Sequence, residues 1–176
     1  FPRLPIVWGG PHITFNGRET LAESCIDFAI AGYGSKPLAQ LAQYLCDKTQ
    51  SLSTIHGLIY RDNNEICASP PALGFEHIDY RDIPYHLVAD RLADYGQLDS
   101  GERIFPLYSA LGCPYQCAFC SSPAQYRDFP RKYEPLPPSE VADHIAYVHD
   151  KYSATYIYFI DDDSFVNLEH VEAVIS

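Results

Sequence analysis

Residues 4–8, Leu-Pro-Ile-Val-Trp, form a short apolar run that stops at Gly9-Gly10, as a buried strand stops at a tight turn. A second run, Ile26-Asp27-Phe28-Ala29-Ile30-Ala31, stops at Gly32-Tyr33-Gly34. The period then lengthens. Leu38, Leu41, Ala42 and Leu45 recur at helical spacing, which predicts a helix from about Lys36 to Lys48, with Ser35 as its N-cap and Pro37 in its first turn. Gly57-Leu58-Ile59-Tyr60-Arg61 and Glu65-Ile66-Cys67 flank Asp62-Asn63-Asn64, and asparagine tolerates the positive φ that a hairpin turn needs.

Regularity then fades: ten of the fourteen prolines lie between Pro70 and Pro138, which predicts mostly loops there. Ile104–Ala110 is expected to be one strand running into a cluster of cysteines. Ser139 is expected to cap a helix to about Lys151 with Val141, Ile145 and Val148 on one face. The β-rich stretch from Ala154 to Ile160 ends on Asp161-Asp162-Asp163, and a last helix starts after Asn167. Strand, cysteine loop, helix, strand, acidic loop and helix make two β/α units of an open or barrel-like parallel sheet. The whole is an α/β chain in three parts: 1–50, a connecting hairpin and proline-rich linker over 51–103, and 104–176.

The chain has 176 residues, a formal net charge of −11 and a sequence pI near 4.9. That balance argues against a nucleic-acid surface, which needs clustered Lys and Arg. No apolar run approaches the roughly 20 residues that cross a bilayer. Phe1-Pro2-Arg3-Leu4-Pro5 does not read as a signal peptide, and because crowded cysteines suit a reducing compartment a cytoplasmic location is expected. With no methionine and a last helix still running at Ser176, the chain reads as an internal piece of a longer protein.

Three of its six cysteines, Cys113, Cys117 and Cys120, fall within eight residues, which suits a metal site in a reducing compartment better than a disulfide framework. Three thiolates on one loop can hold an iron–sulfur cluster and leave one iron open to a substrate or cofactor. The alternatives are a structural zinc site, a four-cysteine electron-transfer cluster and unligated core cysteines. Zinc needs a fourth ligand, yet no Cys or His lies between Cys120 and His144.

CxxxCxxC with Phe119 before its last cysteine, just after a first strand, resembles the signature of the radical S-adenosylmethionine (SAM) superfamily. Arg131-Lys132-Tyr133 and Phe159-Ile160-Asp161-Asp162-Asp163-Ser164-Phe165 resemble the subgroup that carries a cobalamin-binding domain. Val7-Trp8-Gly9-Gly10 resembles the turn of that domain which lies along the cobalamin tail. The resemblance implies that Cys113, Cys117 and Cys120 ligate a 4Fe–4S cluster whose open iron chelates SAM. It implies that Phe119 packs near the adenine, that Asp162 and Asp163 contact SAM, and that Gly9 and Gly10 line the cobalamin tail. Residues 1–50 would then end a doubly wound cobalamin-binding domain, and 104–176 would begin a radical SAM (TIM-like partial) barrel. The implied activity is reductive cleavage of SAM to a 5′-deoxyadenosyl radical, serving methylation or ring formation or rearrangement on a small-molecule substrate. An electron donor such as flavodoxin or ferredoxin would be the partner. The rivals are a non-catalytic zinc- or cluster-binding module and a radical SAM protein that does not bind cobalamin. Seventy-three residues from Ile104 are too few for a barrel of about 250 residues, so this stretch by itself is expected to be inactive.

Several positions depart from that pattern. Gly32-Tyr33-Gly34-Ser35 stands where the subgroup usually has Gly-Glu-Gly-Glu, so two acidic side chains are missing. The Asp-x-His-x-x-Gly motif is not in the chain, and the Gly-Gly-Glu element after the second strand is replaced by the aspartate run. His12 is read as a surface or supporting histidine. Cys25, Cys46 and Cys67, each 21 residues apart, are read as small hydrophobic fillers rather than a second cluster. Strand alternation puts Asp161 and Asp163 on one side and Asp162 on the other.

Overall fold

A computed structural model describes residues 4–48, 50–94 and 101–176, so residues 95–100 of the expected linker lie outside the described part. The chain divides into two compact units, Phe1–Glu76 with Ala124–Pro130, and His77–Pro123 with Arg131–Ser176.

The first unit begins β1 (Val7–Gly9), α1 (Pro11–Thr20), β2 (Phe28–Ile30), α2 (Ser35–Asp47). β1 and β2 are parallel, with Gly9 opposite Ile30. β3 (Leu58–Asp62) then pairs antiparallel with β2, and β4 (Glu65–Ala68) with β3. The hairpin expected in the linker is therefore the edge of this sheet. Its turn sits on Asn63 and Asn64 at φ 47° and 68°, as the sequence required. Successive β2 residues face opposite ways, and each face has a helix. Ala29 packs with Ile13 of α1 and Ile59, whereas Ile30 packs with Leu41 of α2 and Leu58. Helices thus cover both faces of a mixed sheet, in which one parallel pair is followed by two antiparallel ones. The guanidinium of Arg61 holds the α1–β2 connection by binding the carbonyls of Leu21, Glu23 and Ile26.

The helix α1 has no counterpart in the hydrophobic pattern, because Asn16 kinks it (φ −130°, ψ 28°) and Pro11 and Gly17 interrupt the periodicity. The expected cap of α2 shifts by one: Gly34 is its N-cap and Ser35 its first residue. Cys25 and Cys46 are exposed and Cys67 is half-buried, so they are not core fillers; all six cysteines are free.

In the second unit, three short 3₁₀ turns (Tyr80–Asp82, Tyr85–Leu87 and Ala89–Asp94) precede β5 (Ile104–Leu107) and β6 (Ala110–Gly112). The single strand expected over 104–110 breaks at Tyr108-Ser109. Then follow α3 (Ser122–Gln125), β7 (Tyr133–Pro135), α4 (Pro138–Tyr152), β8 (Tyr156–Phe159) and α5 (Leu168–Ile175). β5 pairs in parallel with β8, as two β/α units demand, while β6 turns away to pair antiparallel with β7. The core lies on one face of the parallel pair, where Phe105 and Leu107 meet Val148 of α4 and Ala154. Tyr156 and Tyr158 point from β8 to the opposite, exposed face. Pro137, not Ser139, precedes α4, so its first turn starts on Pro138 without a side-chain cap. Asn167 does cap α5, its side chain accepting the His170 N–H at 3.2 Å.

Ala124–Pro130 crosses to the first unit. There Tyr126 and Phe129 are buried against Phe75, with ring centroids 5.3 and 5.2 Å away, and Tyr33 packs on Phe129.

Candidate functional site

The cysteine loop leaves the carboxyl end of β6. Gly112 opens it at φ 75°, a backbone conformation that side chains rarely adopt, and this turns the chain out of the sheet. Cys113 is half-buried; residues 114–121 are all exposed, including Cys117 and Cys120. Among the described residues, one backbone-to-backbone hydrogen bond lies within the loop, from the Cys120 N–H to the Cys117 carbonyl, 3.1 Å away. Phe119 is 93% exposed, so its whole ring face is open to a partner.

The three thiols differ. Burial pushes the Cys113 thiol up, and the carboxylates of Asp162 and Asp163 add to that shift. Hydrogen bonds from the Ser122 side chain and from its N–H, 3.4 Å from Sγ, hold the Cys120 thiol below its ordinary value. The charges of Asp162 and Asp163 thus both reach Cys113, and strand alternation does not govern these aspartates. The reason is that β8 ends at Phe159 and the aspartates follow in irregular chain. Asp163 closes its own turn by accepting the Phe165 N–H at 2.9 Å.

Asp161 has a separate position. Its carboxylate accepts the N–H groups of Ser109 (2.7 Å) and Ala110 (3.1 Å) and the hydroxyls of Ser109 (2.6 Å) and Ser164 (3.1 Å). These bonds explain the break between β5 and β6, since the two N–H groups there go to a side chain instead of a neighbouring strand. Nothing in the local sequence of Ser109 signals this, and its partner lies 52 residues away.

No group of three or more His, Cys, Asp or Glu side chains among the described residues converges as a single metal ion requires. A closed zinc site needs such a group. A 4Fe–4S cluster does not, because its cysteines bind different irons. One further observation fits a bound group here. Tyr133 lies opposite Gly112 across β6–β7, and its Oη is buried with no hydrogen-bond partner among the described residues. Burial, then Asp161 and Asp163, raise its pKa. Such a hydroxyl keeps its proton and is a donor in want of an acceptor.

In the first unit, Gly9-Gly10 joins β1 to α1, and Gly10 has φ 95° with open space where a Cβ would stand. Gly32 begins the equivalent turn after β2. Thr14 joins the two turns: its hydroxyl donates to the Gly10 carbonyl (3.3 Å) and accepts the Gly32 N–H (3.0 Å). Both turns lie at the carboxyl ends of the parallel pair, where open α/β sheets bind ligands. A 170 Å³ cavity beside them is lined by Thr14, Gly32, Ala72, Gln125 and Phe129, among others. The side chain of His12 bonds Thr20 Oγ1 at 3.1 Å and so supports α1.

The fold, a mixed sheet with helices on both faces followed by a parallel β/α pair, is shared with solved proteins. Two such structures align with the chain. The radical SAM methyltransferase TsrM of Kitasatospora setae, with cobalamin and a 4Fe–4S cluster bound, superposes with a TM-score of 0.65 and 18% identity, over 98% of this chain and 33% of that one. OxsB, with aqua-cobalamin and SAM bound, superposes at 0.58 and 17% identity, over 90% of this chain and 21% of that one. Among curated proteins, an uncharacterised methyltransferase of Pyrococcus horikoshii is 30% identical over 163 residues, 92% of this chain and 34% of its own length. The anaerobic magnesium-protoporphyrin IX monomethyl ester cyclase of Cereibacter sphaeroides is 28% identical over 169 residues, 94% of this chain and 27% of its own length. The chain thus spans about a third of the one and about a quarter of the other. No family model matches it. Among the described residues no helix is long and apolar enough to cross a membrane.

Proposed function

We propose that this chain forms the cobalamin-side unit and the cluster-binding β/α units of a radical SAM enzyme that methylates a small molecule or closes or rearranges a ring. The observation that carries the reading is the cysteine loop at the carboxyl end of β6, beside two carboxylates and an orphaned buried hydroxyl. When bound, the cluster and SAM supply one-electron cleavage chemistry, and cobalamin supplies methyl-transfer chemistry. Cys113, Cys117 and Cys120 would each hold one iron. The open face of Phe119 would stack on the adenine, excluding water from one side of it. Asp162 and Asp163 would face the cationic end of SAM, and the Tyr133 hydroxyl would donate to a bound oxygen or sulfur. Gly9 and Gly10 would let the cobalamin tail run against bare backbone. An electron donor such as flavodoxin or ferredoxin would complete the cycle.

Anaerobic reconstitution tests this. The protein should take up about four irons per chain, with matching sulfide, as a 4Fe–4S cluster requires. Cys117→Ala should abolish uptake, and Cys46→Ala should not. Zinc without sulfide, or equal loss from both variants, would overturn the reading.

A further inference from the structure

We infer that Asp161 and His170 are positioning residues for the cysteine loop: acting on Ser109 from two sides, they fix the point from which the loop departs. The inference rests on the reading of that loop as the cluster site. Ser109 is 4% exposed and each of its polar groups is taken. Its N–H and hydroxyl go to Asp161, and its carbonyl receives the Leu136 N–H at 2.9 Å and His170 Nε2 at 3.0 Å. Because a carbonyl only accepts, Nε2 of His170 carries the proton; this imidazole, 6% exposed, comes from α5. A clamp made from the ends of β8 and α5 thus holds the residue four positions before Cys113.

The same geometry separates Asp161 from its neighbours in the aspartate run. A carboxylate has about four lone-pair directions, and Asp161 already accepts four donors. It has no acceptor capacity left for a cofactor, so, beyond its charge at Tyr133, its hold on the loop passes through Ser109 and Ala110. Cluster chemistry needs ligands held within about 0.5 Å of the productive geometry, and an exposed loop with one internal backbone-to-backbone bond takes much of that precision from its anchor.

The test measures iodoacetamide labelling of Cys113 and Cys67, both half-buried, by peptide mass spectrometry on the metal-free protein. Asp161→Ala should label at Cys113 about tenfold faster, the effect of losing a charge-assisted hydrogen bond, with Cys67 unchanged. His170→Leu should act in the same direction, and Asp161→Asn should fall between. Unchanged labelling of Cys113, or a parallel rise at Cys67, would overturn the inference. Should Asp161→Ala fail to fold, Asp161→Asn and Ser109→Ala carry the same comparison. In iron-loaded protein, the EPR signal of the reduced cluster should broaden in Asp161→Ala and stay sharp in Asp150→Ala, an exposed carboxylate on α4. A wild-type chain that takes up no iron would overturn the cluster reading, while the labelling rates would still decide the clamp.

Discussion

Glu76 accepts the backbone N–H of Lys36 at 3.1 Å, joining residues 40 positions apart at the first turn of α2. This is the place where Gly32-Tyr33-Gly34-Ser35 lacks the two acidic side chains of the related motif. A carboxylate at a helix N-terminus satisfies an orphaned N–H and opposes the positive end of the helix dipole. The acidic group is thus supplied from the far end of the unit.

Glu76→Ala should lower the stability of the first unit by about 1 kcal/mol, the usual effect of losing a helix cap. Glu76→Gln should retain the hydrogen bond and lose only the charge contribution. Urea unfolding followed by circular dichroism measures both, and an unchanged midpoint in the alanine variant would count against the cap.

Tyr133→Phe should stabilise the cofactor-free protein by about 1 kcal/mol, because it removes a buried hydroxyl that no protein group satisfies. In the cluster-loaded protein it should weaken SAM retention, measured by equilibrium dialysis. Opposite signs in the two states are the signature of a group held ready for a ligand. Destabilisation of both would instead mean that the hydroxyl has a protein partner.

Phe129 is 7% exposed and meets Phe75, Tyr126 and Tyr33 edge-on or tilted. Phe129→Ala should cost about 3 kcal/mol by cavity formation and lost transfer energy, and it should release Ala124–Pro130 to proteolysis. Phe119→Ala, at an exposed ring, should leave stability unchanged in the same chemical denaturation.

The aromatic cluster of the second unit should make its stability depend on pH at both ends. His144 stacks on Tyr80 at 4.9 Å and shares a hydrogen bond of 2.9 Å between its Nε2 and the Tyr85 hydroxyl. Burial holds it below its ordinary value of 6.5, while Glu140 and Asp79 pull the other way. The unfolded chain therefore binds the proton more tightly, and stability should fall as pH drops below 6.5. Burial, then Tyr147 and Tyr152, push Tyr85 from 10.0 up to about 12, so stability present below pH 10 is lost as pH rises towards 12. Thermal midpoints of His144→Phe should be flatter than wild type between about pH 7 and about pH 5. An identical acid limb in that variant would assign the effect elsewhere.

The sequence by itself determined what is local. The apolar runs ending in glycine placed β1 and β2, helical spacing placed α2, α4 and α5, and Asn63-Asn64 placed the hairpin turn. The three cysteines were legible for the same reason, since their chemistry depends on residue type and short spacing. Local pattern missed α1, interrupted by Pro11, Asn16 and Gly17, and it read Ile104–Ala110 as one strand. Only the tertiary structure decided which N–H groups of that stretch met another strand and which met Asp161. It also decided that the hairpin edges the first sheet, that Ala124–Pro130 packs on Phe75 and Tyr33 within the first unit, and that Glu76 accepts an N–H in the first turn of α2. Each of these joins residues distant along the chain, and such pairings are chosen by the burial and hydrogen bonding of the folded whole, which no window of sequence contains.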